Sequence, residues 1–243
     1  RCSGVQNHQE YVDLVKERLG EMLPVPEHNY QRTASEYIGG EYRTWSETPA
    51  TNITLAFESS PSHSSDQATL FVMKHLLGDA SSYSSGGPGK GMHSRNMEML
   101  GRYSYVDGAS VINSSFSDSG LFGLSVEGYG QNSYDLMGRV TDQLNGLKGN
   151  IDEVELNRAK NCAKMSILSA MESTETRLEE IARNFMTFGD LTFHQYCDKV
   201  DAVTTSDINA VASRVFGGKP TLLVTGSAIN LVPAVTDVAR QLN

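Results

Sequence analysis

Apolar positions along the chain follow two spacings, and the switch between them predicts the order of elements. Residues 52–57 alternate Ile53, Leu55 and Phe57 with small or polar side chains, the period of a half-buried strand. Residues 40–46 read as a strand before it. Residues 10–23 instead place Val12, Leu14, Val15, Leu19 and Leu23 at near-helical spacing, and Pro24-Val25-Pro26 stops that helix. Residues 68–77 form an amphipathic helix, with Ser64-Ser65-Asp66 as its cap. A short helix is predicted over 92–102. Strands over 103–116 and 121–127 are joined by the turn Ser117-Asp118-Ser119-Gly120. Helices follow over 131–147, from Asp152 through about Ala170, from Ser173 or Thr174 to about Phe188, and over 193–200 and 206–215. The second of these carries Val154, Leu156, Ala159, Ala163, Ile167 and Ala170 on its apolar faces. A strand over 220–225 and a helix over 231–242 close the chain. The order β-β-α-loop-α-β-β-α-α-α-α-α-β-α predicts an α+β fold: a two-layer sandwich of a mostly antiparallel sheet with helices on one face.

One segment interrupts the pattern. Residues 78–92, GDASSYSSGGPGKGM, hold five glycines and four serines, with no aliphatic residue between Ala80 and Met92. A run of this composition buries too little apolar surface to order itself. Long loops inside compact domains are usually functional or disordered. The expectation is a mobile flap on a rigid scaffold.

Composition narrows the function classes. Hydrophobic residues make up 39% and charged residues 20% of the 243 positions, the balance of a soluble globular protein. No apolar run reaches the roughly 18 residues of a membrane span, so an integral membrane protein is not expected. The net charge of −9 argues against nucleic acid and is compatible with a basic partner. Cys2, Cys162 and Cys197 are few, odd in number and far apart, which favours reduced thiols. The start lacks Met, a signal peptide and a basic transit segment. Residues 1–23 therefore read as the end of a truncated N-terminal domain, 24–38 as a linker and 39–243 as a C-terminal domain.

The chemistry-bearing motifs fail one by one. Gly89-Lys90 is followed by Gly91, not by the hydroxyl a phosphate loop needs, and no strand leads directly into the glycines. The six histidines show neither H-E-x-x-H nor H-x-x-E-H spacing, and the cysteines have no ligand spacing. No nucleophile elbow is present. No catalytic residue and no metal ligand is therefore assigned. Glu172, Glu175, Glu179 and Glu180 lie on adjacent turns of one helix. That cluster reads either as a solvated helix face or as an acidic patch for an arginine-rich ligand.

The segment GGPGKGMHSR, residues 86–95, resembles the glycine-rich loop of the α-subunit family of mitochondrial processing peptidases, in the pitrilysin-like metallopeptidase clan. Residues 37–43, YIGGEYR, are similar to that family's Y-x-G-G-E-x-R. NITLAFE at 52–58, EVELNRAK at 153–160, EEIARN at 179–184 and FGGKP at 216–220 extend the likeness over nearly the whole chain. The resemblance implies a non-catalytic, substrate-recognising subunit without a cofactor of its own. Zinc would sit in a partner β-subunit carrying H-x-x-E-H. The loop, with Gly78, Ser84, Ser85, Gly86, Gly87, Pro88, Gly89, Lys90, Gly91 and Met92, would bind basic presequence peptides. Glu172, Glu175 and Glu179 would supply acidic contacts. The implied location is the mitochondrial matrix or the matrix side of the inner membrane. Core proteins of respiratory complex III share the family, so a structural core subunit is the alternative. The sequence departs from the family where Gly78-Asp79-Ala80-Ser81-Ser82 replaces a longer glycine run, which should make the loop slightly less free.

Overall fold

A computed structural model describes residues 5–22, 33–83, 93–149, 151–189 and 192–242. The loop residues Ser84, Ser85, Gly86, Gly87, Pro88, Gly89, Lys90, Gly91 and Met92 lie outside the described residues. So do Leu23, residues 24–32 of the expected linker, and Cys2. Helix α1 is His8–Leu19, capped by Asn7, whose side chain accepts from Gln9 N at 3.1 Å. None of its residues is buried, so the stripe of Val12, Leu14, Val15 and Leu19 has no core to face here.

The body is one six-stranded sheet with helices packed on one face. Its strands are β1 Gly40–Trp45, β2 Ala50–Ser59, β3 Ala80–Ser81, β4 Val106–Ser115, β5 Gly120–Tyr129 and β6 Pro220–Gly226. Their spatial order is β1-β6-β2-β5-β4-β3. Every pairing is antiparallel except β1 with β6. The register places Ile53 opposite Val126 and Val224, Leu55 opposite Leu124 and Leu222, and Phe57 opposite Phe122 and Pro220. These side chains share one face and are almost wholly buried. The opposite face carries Thr54, Asn52 and Ser125, whose side chains bond one another at 2.8 and 3.0 Å. The alternation read from the sequence is therefore the two-sidedness of the sheet.

The helices are α2 Gln67–Leu77, α3 Arg95–Arg102, α4 Ser133–Asn145, α5 Glu153–Ala170, α6 Thr174–Phe188, α7 Phe193–Ala202, α8 Thr205–Phe216 and α9 Val235–Leu242. Helix α2 buries seven residues and α8 five. Phe216 of α8 meets Phe57 and Phe122 of the sheet, with ring centroids 5.4 and 6.1 Å apart.

Three expectations need correction. Asp66 stands at the start of α2, but its carboxylate makes no cap bond. It accepts instead from Ser60 Oγ at 2.7 Å, Ser64 Oγ at 3.1 Å and Arg214 Nη2 of α8 at 2.6 Å. A bond to a cation outweighs a neutral cap bond. Asp152 likewise precedes α5 without a side-chain cap. Along α5, Leu156, Ala159 and Ala163 are buried as expected, whereas Val154 is exposed.

Candidate functional site

The segment singled out by composition begins differently from a structureless flap. Gly78 ends α2 at φ +65° and ψ 162°, a conformation open to glycine and costly for other residues. A Cβ on Gly78 would lie 2.4 Å from Ser94 Cβ and 2.5 Å from Ser94 Oγ. Residues 78 and 94, which bracket the glycine-rich segment, are therefore in contact. Asn96 Nδ2 donates to Gly78 O at 2.6 Å across this neck, and Asn96 is fully buried. Asp79 Oδ1 accepts from Val111 N of β4 at 2.8 Å. Ala80 and Ser81 pair with Ala109 and Gly108 as β3, and Ser82 N donates to Asp107 O at 2.8 Å. The reduced freedom expected of 79–82 thus takes the form of a short edge strand. On the exit side, Ser94 caps α3, and Arg95 makes a bidentate ion pair with Glu155 of α5 at 2.6 and 3.0 Å. Asn96 and Ser94 had no distinguishing sequence signal, because their role depends on the approach of two chain segments 16 residues apart.

The acidic cluster lies elsewhere. Glu172, Glu175 and Glu179 are exposed on one flank of α6 and on the turn before it. A different face of α6, carrying Glu180, Arg183, Asn184, Thr187 and Phe188, roofs a cavity of about 350 Å³. These positions follow i, i+3, i+4, i+7, i+8 spacing, one helical stripe. Phe71 of α2, Ile167, Ala170 and Met171 at the end of α5, and Phe193 and Tyr196 of α7 form its apolar walls. Glu180 pairs with Arg183 at 2.7 Å. Burial, reinforced by the Glu180 charge, pushes the Tyr196 hydroxyl up to about 12. The structure does not bring Glu172, Glu175 and Glu179 into this cavity, and it does not join them to the neck of the loop.

His75, one turn before Gly78, lies between α2 and α5, with Nε2 3.2 Å from Ser166 Oγ and its ring edge-on to Phe71. Burial, aided by the Lys74 charge and opposed by Asp79, lowers its pKa from 6.5 to about 4. Between those values the unfolded chain binds a proton that the folded chain refuses. Stability from this group is therefore full above pH 6.5 and is lost as pH falls toward 4, by at most about 3 kcal/mol. Urea unfolding of a His75→Gln variant should lose less stability between pH 6.5 and 4.5 than the parent. Equal losses would show that the ring carries no such penalty.

Among the described residues, no group of three or more His, Cys, Asp or Glu converges as metal ligands do, and no helix is long and apolar enough to cross a membrane. Cys162 and Cys197 are free thiols.

The class defined by this architecture is an α+β domain of one mixed sheet and one helical layer. A chain of complex III2 from Candida albicans has the same fold: TM-score 0.84 at 20% identity, covering 97% of this chain and 56% of that one. Residues 2–162 match the profile of the peptidase M16 inactive domain, and the chain belongs to that family. It is 30% identical over 240 residues to the mitochondrial-processing peptidase subunit alpha of Solanum tuberosum, covering 95% of this chain and 46% of the relative. It is 31% identical over 248 residues to a probable alpha-2 subunit of Arabidopsis thaliana, covering 99% of this chain and 48% of the relative. A probable alpha subunit of Schizosaccharomyces pombe is 34% identical over 190 residues, 73% of this chain and 38% of the relative. The chain spans about half the length of the first two.

Proposed function

We propose that this chain is part of the non-catalytic, substrate-recognising α-subunit of a mitochondrial processing peptidase. It would help to hold presequences of imported precursors for cleavage by a zinc-bearing β-subunit. The observation that carries this reading is the likeness to named alpha subunits along almost the full chain, within a domain type described as inactive. The location that follows is the mitochondrion, on the matrix side. Residues 39–243 would be the C-terminal domain, with 1–23 the end of another and 24–38 the link between them. Recognition would use the segment 84–92, presented from the neck at Gly78, Ser94 and Asn96, with exposed Glu172, Glu175 and Glu179 favouring basic peptides. The alternative, a structural core protein of respiratory complex III, has the fold likeness at 20% identity on its side. That degree of likeness carries the fold alone.

The test keeps the neck and removes the tip. In the longer subunit that contains this chain, paired with a β-subunit, deletion of residues 84–91 should lower precursor cleavage by at least about tenfold while the heterodimer still assembles. Residues 80–83 stay in place because Ala80, Ser81 and the Ser82 amide bond to β4. Undiminished cleavage and presequence affinity would overturn the role of the loop. Copurification of the parent protein with cytochromes, without cleavage activity, would favour the core-protein reading.

A further inference from the structure

Residues 33–38 of the expected linker, with Gly39, lie against the sheet instead of hanging free of it. Ser35 N donates to Asp118 Oδ2 at 2.8 Å, in the turn between β4 and β5. Two residues on, the Tyr37 hydroxyl lies 2.5 Å from Thr221 Oγ1 of β6 and donates to Ala56 O of β2 at 3.2 Å. Gly39 follows, packed so that a Cβ there would come 2.9 Å from Pro220 O. The contacts run from the end of β5 over β2 to β6, across the strands and not along them. Strands β5 and β6 are two strand spacings apart, roughly 10 Å. A chain advances at most about 3.5 Å per residue, so this segment is extended and has little slack.

The segment crosses the face that carries no helices. Ala56 and Thr221 are register partners there, while their neighbours Leu55, Phe57 and Leu222 point to the helical layer. Ala56 is nevertheless only 7% exposed, and Tyr37 is the side chain bonded beside it. Burial raises the Tyr37 hydroxyl above its ordinary pKa, opposed by the bond to Thr221 and aided by the Glu58 charge. The crossing ends in two glycines of positive φ, Gly39 at +72° and Gly40 at +135°. They turn the chain from crossing the strands to running along β1, a course closed to most other residues. The bonds at Asp118 and Tyr37 lie outside the strand ladders, so the segment can lift away while the sheet stays paired.

We propose that residues 33–39 are a latched strap, with Gly39-Gly40 as its hinge and Asp118 and Tyr37 as its two catches. Latched, the strap covers the Ala56 and Thr221 end of the open face, and the chain before Thr33 departs beside the β4–β5 turn. Released, it uncovers that end and moves the point of departure to β1, three strand spacings or roughly 14 Å away. The latch therefore sets the geometry between this sheet and the chain that precedes the strap. This goes beyond the proposed function and does not depend on it.

The experiment is limited digestion of the full 243-residue chain with a glutamate-specific protease, followed site by site with mass spectrometry. Glu36 is exposed but sits between the two catches, so cleavage after it requires the strap to lift. Asp118→Ala and Tyr37→Phe should each speed that cleavage by about fivefold. Asp118→Asn should stay near the parent rate, because an amide oxygen still accepts from Ser35 N. Cleavage after Glu58 on β2 and Glu127 on β5 requires the sheet itself to open and should not change. Asp118 is exposed in its turn, so Asp118→Ala decides the matter even where Tyr37→Phe lowers the melting temperature. Energy transfer from Trp45, the only tryptophan of the chain, to a dye on Thr33→Cys reads the point of departure, with the three native cysteines replaced by serine. Asp118→Ala should broaden the distribution of that distance. Equal cleavage after Glu36 in parent and variants would overturn the latch, as would a rise matched at Glu58 and Glu127. An unchanged distance distribution would overturn the shift in departure.

Discussion

Arg43→Ala is expected to destabilise the domain by about 3 kcal/mol or more, lowering its melting temperature by roughly 6–10 °C. The guanidinium on β1 donates to three backbone carbonyls of the β6–α9 connection: Ile229 O, Val232 O at 2.8 Å and Pro233 O at 2.8 Å. It also pairs with Glu41, whose second oxygen accepts from Val235 N at the first turn of α9, at 2.9 Å. Alanine leaves those carbonyls without a donor in a region where the arginine is only 22% exposed. Unpaired polar groups there cost more than the bonds gain when made. Arg43→Lys should recover less than half the loss, because one ammonium cannot span three carbonyls as the planar fork does. Thermal or urea unfolding reads the result, and a melting temperature within 2 °C of the parent would refute the staple.

Gly78→Val should cost a similar amount, about 3 kcal/mol, and should act on the neck of the loop rather than on the core. Two terms add. The backbone at φ +65° is strained for any side chain, and the new Cβ would collide with Ser94. They can be separated. Gly78→Ala carries both, and adding Ser94→Gly removes the two colliding atoms but not the strain. The double variant should therefore be more stable than the sum of the single losses predicts, by about 1 kcal/mol after the lost α3 cap is counted. Strict additivity would mean that the two ends of the segment do not touch. If the loop recognises substrate, Gly78→Val should also raise the concentration of precursor needed for half-maximal cleavage, since the neck fixes where the tip begins.

The Y-x-G-G-E-x-R signature shows what kind of information a motif carries here. Each residue has a structural task. Tyr37 bonds Thr221 Oγ1 at 2.5 Å and Ala56 O at 3.2 Å, Gly39 sits at φ +72° against Pro220 O, and Glu41 and Arg43 tie β1 to α9. In this chain these residues hold the sheet edge together. Asp79, which the sequence marked as a departure from the family's loop, pins the entry of the segment through Val111 N, while Ser94 and Asn96, which carried no sequence signal, meet Gly78 on the exit side.

Much of the architecture was legible because burial has a period. Ile53, Leu55 and Phe57 announced a strand with one wet face, and the apolar spacing in α2, α4 and α8 announced helices that cover it. Local capping chemistry worked where it was uncontested, at Ser173, and failed at Asp66, where Arg214 from 148 residues away offered a stronger bond. What the one-dimensional pattern could not contain is any contact whose partners are set by closure of the chain. The strand β3 is two residues long and exists only because β4 lies beside it. The touching of Gly78 and Ser94 depends on α2 and α3 ending side by side. The acidic run on α6 was visible, but which of its carboxylates faces a cavity was decided by α2, α5 and α7 meeting under Glu180 and leaving Glu172, Glu175 and Glu179 on the flank. Sequence determined the elements, the family and the conspicuous loop, since these follow from residue type and spacing. Tertiary structure alone decided the neck, the staple and the cavity, since each is a meeting of side chains from segments far apart in the chain.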